Sequence, residues 1–306
     1  MFSYKKYNTK IFDFFFTQRK EDYWFLLAFR CSIGLFCIVK ILSIAGDFGN
    51  LYSTKALIDP SDTSIFKPYF LPDFADIEVF LREHFQFSTH TSIVLFYILF
   101  LALCVMLIVG LFTRFAAITL LCLHLILAKG SSIYSYGVDF FTTTSLFYCS
   151  LFPLTHTRSL DKKIYKLRQV NPSPYRKILQ VHLCIVYFFG GLDKVVGTNW
   201  RNGESLWKSL HMPLFDPIFH TDYSLFTSFP FLPRLLGWGV IIIELFYTAF
   251  IWWKPTRNIW LFLIVAMHIG ISVFLGLFYF SALLIILNLN AFLALRTEKD
   301  TVLKNS

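Results

Sequence analysis

The sequence predicts an all-α fold, a polytopic integral membrane bundle of about eight transmembrane helices. Of its 306 residues, 56% are hydrophobic and 15% are charged, whereas about 25% of an average soluble domain is charged. The mean hydropathy is +0.59. A soluble fold of this size cannot bury so much apolar surface, so lipid must be the solvent for much of the chain.

The apolar runs define the predicted membrane segments, and turn residues such as Gly110 and Gly276 separate the closest pairs. We expect one transmembrane domain over 1–306, with long loops at about 46–90 and 198–234 and a basic loop at about 155–177. The stretch FADIEVFLREHF has helical apolar spacing and predicts an interfacial helix. The predicted segments are about 24–45, 91–112, 114–130, 138–154, 178–197, 235–253, 258–275 and 277–295.

Positive charge follows the loops in an alternating pattern. Of the 28 Lys and Arg residues, eighteen fall in the terminal segments and alternate loops, six fall in the other loops and four lie within segments. The positive-inside rule then predicts a multi-pass protein of the cell membrane with both termini cytoplasmic. The net charge of +9 therefore does not indicate nucleic-acid binding. The basic loop either contacts anionic lipid headgroups or serves only as a topology signal.

Ionisable residues are costly inside a membrane, so each needs a structural or functional reason. In the predicted topology several of them gather toward the outer leaflet, which favours a shared polar cavity that opens outward. The six cysteines show no CxxC motif, and no His or Cys spacing indicates a metal site, so no metal is expected. The ionisable residues within segments are Arg30, Lys40, His124, Lys129, Asp139, His182, Lys194, Glu244 and His268.

The segment at 178–197 carries the most informative pattern. Tyr187, Gly191 and Lys194 are spaced four and three apart, so they share one helical face. Gly190 and Gly191 permit close approach of another helix or of a flat ligand. A desolvated lysine can lose its proton and act as a general base. Alternatively, Lys194 extends to the outer interface or pairs with Asp139.

Other ionisable residues also allow two interpretations each. Asp139 either caps a helix N-terminus or orients and balances the charge of Lys194. Glu244 is either a structural partner of Arg30, the alternative we favour, or a proton-handling group. His268 hydrogen-bonds either a ligand oxygen or a neighbouring helix.

Several stretches together resemble the horizontally transferred transmembrane (HTTM) domain family, which includes the membrane domain of vitamin K-dependent γ-glutamyl carboxylase. The resemblance spans nearly the whole chain, and its most specific part is the pattern Gly-x-x-Lys followed by Trp-x-x-Gly. The matching stretches are LLAFRCSIGLF (26–36), LYS (51–53), YGVDFF…LFYCSLFPL…SLD (136–161), YFFGGLDKVVGTNWRNGESLW (187–207), GWGVIIIELFY (237–247) and MHIGISVFLGLFYF (267–280).

The resemblance implies a reduced vitamin K-type quinone as cofactor and Lys194 as the base that starts its oxygenation. In the carboxylase, the resulting strong base removes a γ-proton from glutamate and carbon dioxide then adds. The carboxylase has two adjacent lysines where this chain has Asp193-Lys194. It also has an active-site histidine where Tyr134 stands here. Because the chain ends soon after its last segment, we expect no large substrate-recruiting domain.

Three hypotheses follow. The first is a quinone-linked, carboxylase-like lyase with Lys194 as catalytic base, assisted by Asp139 and His268. In this hypothesis Tyr187, Gly190, Gly191, Trp200 and Tyr134 bind the cofactor. The second is a non-enzymatic module that matures or exports a secreted peptide with a separately encoded partner protein. The third is a structural or lipid-binding bundle whose buried charges only fix packing.

Overall fold

The computed structural model describes residues 10, 12–17, 22, 24–59, 62, 71–130, 135–212, 226 and 228–293. Over these residues the chain is helical and has no β-strand. The chain forms two compact units: a continuous unit, Leu26–Val170, and a discontinuous unit that joins Met1–Phe25 to Asn171–Ser306. The predicted all-α class is confirmed.

The continuous unit contains seven of the described α-helices, except for one residue, Phe25, which starts the first helix and lies outside the unit. The predicted helix at 74–85 is present as α3, and its N-terminus is capped by the Asp73 carboxylate, which accepts from the Asp76 backbone N–H at 2.9 Å. Asp161 caps α5 from a distance in the sequence, accepting from the backbone N–H groups of Phe112 and Thr113 at 2.8 and 2.9 Å. The helices are α1 (Phe25–Ser43), α2 (Phe48–Tyr52), α3 (Phe74–Phe85), α4 (Thr89–Val109), α5 (Thr113–Gly130), α6 (Gly137–Leu151) and α7 (Leu160–Tyr165).

Between Ser173 and Phe292, the described part of the discontinuous unit has three long helices, one of intermediate length and two short ones. Helix α8 packs closely against α11 and α13, while α12 packs against α11 and α13. The short helices α9 and α10 lie against α11. The helices are α8 (Ser173–Val196), α9 (Thr198–Arg201), α10 (Glu204–Leu210), α11 (Phe231–Phe250), α12 (Lys254–Leu275) and α13 (Phe278–Phe292).

Six of the described helices, α1, α4, α5, α8, α11 and α12, are long and apolar enough to cross a membrane. Helices α6 and α13 also match predicted segments, but each has 15 residues and is therefore only about 22 Å long. The hydrocarbon core of a bilayer is about 30 Å thick. The chain is thus a polytopic membrane bundle, but its helix lengths do not confirm the predicted eight spans.

The membrane helices divide their apolar residues between packed and lipid-facing sides. In α8, Leu183 and Tyr187 are buried, whereas Ile185 and Phe189 on the same helix are more than half exposed. In α12, Phe262 is 69% exposed. A membrane accommodates such surfaces, because lipid chains are as apolar as the side chains they meet.

One buried ion pair joins the N-terminal part of the discontinuous unit to α8. Arg176 of α8 binds the carboxylate of Asp22 at 2.9 Å, and both side chains are at most 5% exposed. The same guanidinium donates to the backbone oxygens of Ala291 and Leu293 at 2.8 and 2.9 Å. Arg176 therefore satisfies carbonyl groups that the C-terminal turn of α13 leaves without helical partners.

Candidate functional site

Helix α8 positions the predicted residues Tyr187, Gly190, Gly191 and Lys194. Its 24 residues span about 36 Å, and it starts with a proline in the first turn, where no backbone N–H is required. Lys194 lies in the last turn. A cation is favoured there, because the helix dipole places partial negative charge at the C-terminus.

Lys194 forms an ion pair with Glu244 of α11. Lys194 Nζ lies 2.6 Å from Glu244 Oε2, and the side chains are 20% and 10% exposed. Nζ also lies 3.4 Å from the Gly190 carbonyl oxygen and 5.2 Å from the centre of the Trp200 ring. The lysine is thus held by a carboxylate, a helix carbonyl and an aromatic face.

The two glycines of α8 have different neighbours. A Cβ atom on Gly191 would lie 2.7 Å from the backbone nitrogen of Leu245, so this glycine permits direct contact between the backbones of α8 and α11. A Cβ atom on Gly190 would lie 3.4 Å from Glu244 Oε2 and 3.7 Å from Lys194 Nζ. Gly191 therefore serves helix packing, whereas Gly190 leaves space beside the ion pair.

Helices α8 and α11 run antiparallel, and their contacts form successive layers. Lys194 meets Glu244 in one layer, and the rings of Tyr187 and Tyr247 lie 4.5 Å apart in another. Tyr187 lies seven residues before Lys194, about 10 Å along the helix. The ion pair and the tyrosine pair thus lie on the same α8–α11 interface.

A chain of hydrogen bonds leads from this interface to α12 and α13. Tyr247 Oη donates to Asn288 Oδ1 at 2.7 Å, and Asn288 Nδ2 donates to Tyr187 Oη at 2.7 Å. Tyr187 Oη lies 2.8 Å from His268 Nε2. All four residues are buried, and the other ring nitrogen of His268, Nδ1, has no hydrogen-bond partner among the described residues.

Trp200 reaches the site because the short helices after α8 fold back on α11. A Cβ atom on Gly237 of α11 would lie only 2.7 Å from the Trp200 carbonyl oxygen, so the glycine permits this close contact. On α10, Lys208 Nζ lies 2.7 Å from Glu204 Oε1. This hydrogen bond, with a further one from Asn202, lowers the pKa of the exposed Glu204 carboxyl.

Comparison with protein families decides the relationship. A model of the HTTM domain matches residues 18–294. The chain belongs to the HTTM family. No curated protein and no solved structure gives a significant match. The HTTM match includes every residue of the site described above and most of both units, as the resemblance of the motifs predicted.

Asp139 of this HTTM protein lies in the continuous unit, where it caps a helix, as the first of the two interpretations predicted, and pairs with Lys40. Its carboxylate pairs with Lys40 at 2.5 Å and accepts from the Tyr136 backbone N–H at 3.2 Å. His124 Nε2 lies 3.1 Å from the Asp139 carbonyl oxygen. The carboxylate therefore caps the N-terminus of α6, and Lys194 has Glu244 as its partner instead. A catalytic role of Asp139 stays a prediction.

Arg30 also has other partners than predicted. Its guanidinium donates to the backbone oxygens of Leu154 and Arg158 at 3.4 and 2.7 Å. The favoured Arg30–Glu244 pair is wrong, because Arg30 binds carbonyl groups within the continuous unit and Glu244 binds Lys194. The predicted cofactor-binding residue Tyr134 lies outside the described residues.

The structure brings six of the predicted site residues into one region: Tyr187, Gly190, Gly191, Lys194, Trp200 and His268. Sequence reasoning missed Asn288 and Tyr247, which connect Tyr187 to two further helices. A signal for Asn288 was present, since an amide within the apolar run LIILNLN needs a hydrogen-bond partner inside a membrane. Whether the predicted residues are catalytic or cofactor-binding stays a prediction.

The arrangement has the elements of proton-transfer chemistry. The Lys194–Glu244 pair contains an amine and a carboxylate 2.6 Å apart, close enough to exchange a proton directly. His268 contributes a buried ring nitrogen that has no partner among the described residues. A base and a separate hydrogen-bonding group on one helix interface can act on a ligand that carries an acidic hydroxyl and oxygen acceptors.

Proposed function

We propose that this HTTM protein is a quinone-linked membrane enzyme with carboxylase-like chemistry, in which Lys194 is the general base. The observation that carries the proposal is the pairing of Lys194 with Glu244 beside Gly190, under the ring of Trp200. A lysine that only extended to the membrane surface would need no buried carboxylate partner.

Glu244 is the proton-handling group in this proposal. Two opposite charges are costly to hold in apolar surroundings. Moving one proton from Lys194 Nζ to Glu244 Oε2 leaves an uncharged amine and an uncharged carboxylic acid. The amine then has a lone pair that can accept a proton from a hydroxyl group placed beside it. The oxyanion left by that hydroxyl balances the resulting ammonium charge, while Glu244 stays uncharged.

The residues fit a flat ligand with oxygen atoms at its ends. Gly190 presents no side chain next to Lys194, and Trp200 offers an aromatic face near the amine. His268 Nδ1 is a buried polar atom without a partner in the described part of the chain. A reduced vitamin K-type quinone supplies an acidic hydroxyl and, with oxygen, the oxidising chemistry. Lys194, Trp200, Tyr187 and His268 would hold it.

The proposal also specifies the orientation of the chain in the membrane. The distribution of Lys and Arg over the loops supports a cell-membrane protein with both termini cytoplasmic. Lys194 then lies toward the outer face of the membrane, because α8 follows the basic loop at about 155–177. A substrate that carries glutamate would approach from that side. Cysteine labelling of single loop positions in intact cells measures this orientation.

The direct test uses the purified full chain in detergent or lipid discs. The protein receives a reduced naphthoquinone, oxygen and bicarbonate, and mass spectrometry measures formation of the quinone epoxide. We expect epoxide from wild type, strong loss in Lys194→Ala, and reduced formation in Glu244→Gln. Lys208→Ala is the matched control, because it removes a lysine from an exposed ion pair with Glu204.

The outcomes separate the candidate functions. Epoxide that depends on Lys194 but not on Lys208 supports the enzyme and directs the search to a glutamate-bearing substrate. No epoxide from folded wild type over a series of quinones, or equal formation by Lys194→Ala, contradicts it. The chain would then be tested as a module that matures or exports a secreted peptide, by co-purification with a separately encoded partner protein.

A further inference from the structure

The hydrogen bonds around Asn288 have a fixed direction. Asn288 is fully buried, and its Nδ2 atom lies 2.8 Å from the Leu284 carbonyl oxygen. A carbonyl oxygen accepts and cannot donate, so Nδ2 must face it and Oδ1 must face the opposite side. The orientation of the amide is therefore set by the backbone of its own helix.

This orientation determines the roles of both tyrosines. Oδ1 only accepts, so the Tyr247 hydroxyl must donate to it across 2.7 Å. Nδ2 only donates, so Tyr187 Oη accepts from it, also at 2.7 Å. The hydroxyl proton of Tyr187 then points elsewhere, and its other described hydrogen-bond neighbour is His268 Nε2 at 2.8 Å.

The consequence is a defined tautomer of His268. If Nε2 accepts from Tyr187, the ring proton is on Nδ1. The opposite tautomer would have Nε2 donate to Tyr187. Tyr187 Oη would then accept twice, its own proton would have no described acceptor, and the Nδ1 lone pair would also be unmatched. The first arrangement leaves one group without a partner, and the second leaves two.

We propose that Asn288 is a positioning residue that acts through Tyr187 to hold His268 as the Nδ1–H tautomer. The Nδ1–H group is buried and has no partner in the described part of the chain, so it is a preformed donor for an oxygen acceptor of a ligand. The role of that donor toward a quinone oxygen rests on the proposed function, whereas the tautomer does not.

The test reads the tautomer by NMR, independently of activity. The full chain is labelled with ¹⁵N-histidine and studied in detergent at about pH 8, above the usual histidine pKa. His268→Gln identifies the His268 signals by their loss. Nε2 couples to both carbon-bound ring protons and Nδ1 strongly to only one, so the coupling pattern assigns the two nitrogens. The ¹⁵N chemical shift of each nitrogen then shows whether it carries the proton. We expect the proton on Nδ1 in wild type.

The variants test the cause. Asn288→Leu removes the donor to Tyr187, so we expect His268 to lose its single tautomer and give signals shifted toward a mixture. Tyr187→Phe keeps the aromatic ring and removes the hydroxyl, and we expect the same change. Asn290→Leu is the matched control, because it removes an amide from the same helix outside this chain of hydrogen bonds. It should leave the His268 signals unchanged.

Three results would overturn the proposal: a wild-type proton on Nε2, an unchanged Nδ1–H tautomer in folded Asn288→Leu, or an equal shift in Asn290→Leu. Size-exclusion chromatography and thermal unfolding establish that each variant is folded. If Asn288→Leu does not fold, Tyr187→Phe decides in the same way. An Nδ1–H tautomer without any epoxide formation would support this inference and contradict the proposed enzyme, so the two can fail separately.

Discussion

The contact between Gly191 and α11 gives a quantitative prediction for Gly191→Ala. The new Cβ atom would lie 2.7 Å from the backbone nitrogen and 3.0 Å from the Cα atom of Leu245. These atoms belong to the backbone, so α11 as a whole must move. Overpacking of this kind costs about 1–3 kcal/mol. The change from glycine to alanine within a helix gains about 0.5–1 kcal/mol.

Gly190→Ala is the matched control, since it makes the same change one residue earlier. Its Cβ atom would meet only the ends of the Glu244 and Lys194 side chains, at 3.4 Å or more. Both variants gain the same helix propensity, so their difference isolates the backbone contact, about 1–3 kcal/mol.

The measurement is the free energy of unfolding of both variants in mixed micelles, followed by tryptophan fluorescence. We expect Gly190→Ala to be as stable as wild type or more stable, and Gly191→Ala to be less stable than Gly190→Ala. Equal stability of the two variants would mean that α8 and α11 do not meet through their backbones at Gly191. The register that pairs Lys194 with Glu244 would then be wrong as well.

Two further predictions concern ion pairs. Arg176→Met should lower the free energy of unfolding by about 3–5 kcal/mol, because it removes the cation from a buried carboxylate; wild-type stability in the same micelles would contradict the Asp22 contact. The pair of Glu204 and Lys208 is exposed and should matter little at neutral pH. Because the Glu204 pKa is lowered in the folded chain, its small contribution is present above the unfolded pKa. That contribution is lost as the pH falls through the folded value. The protection factors of the α10 amides, which correct for the slower intrinsic exchange in acid, should fall slightly on acidification, and less so in Lys208→Ala.

Most of the fold could be predicted, because membrane helices are defined by local composition. Every predicted segment corresponds to a helix, and α3 lies at the predicted residues 74–85. The number of spans was harder to predict, since the apolar runs of α6 and α13 continue beyond the helices themselves. Phe152 leaves the helical conformation at the end of α6, and hydropathy does not detect that change.

The candidate site was predictable only along one helix. Periodicity places Tyr187, Gly191 and Lys194 on one face of α8, but it does not say which helix faces them. Glu244 was therefore assigned to Arg30, although its partner is Lys194. The pairing depends on the antiparallel register of α8 and α11. Gly191 indicates a close helix contact in the sequence, but nothing local shows that the contact is with the backbone of Leu245.

The ion pair at Arg176 has a consequence for how the protein is made. Asp22 leaves the ribosome early, and Arg176 follows after the whole continuous unit has been synthesised. The carbonyl groups of Ala291 and Leu293, which Arg176 also binds, come last. Until then the arginine has its carboxylate partner, Asp22, but lacks these two acceptors. The contacts of Arg176 are therefore completed only when the end of α13 has been made, so this corner of the discontinuous unit is fixed late in synthesis.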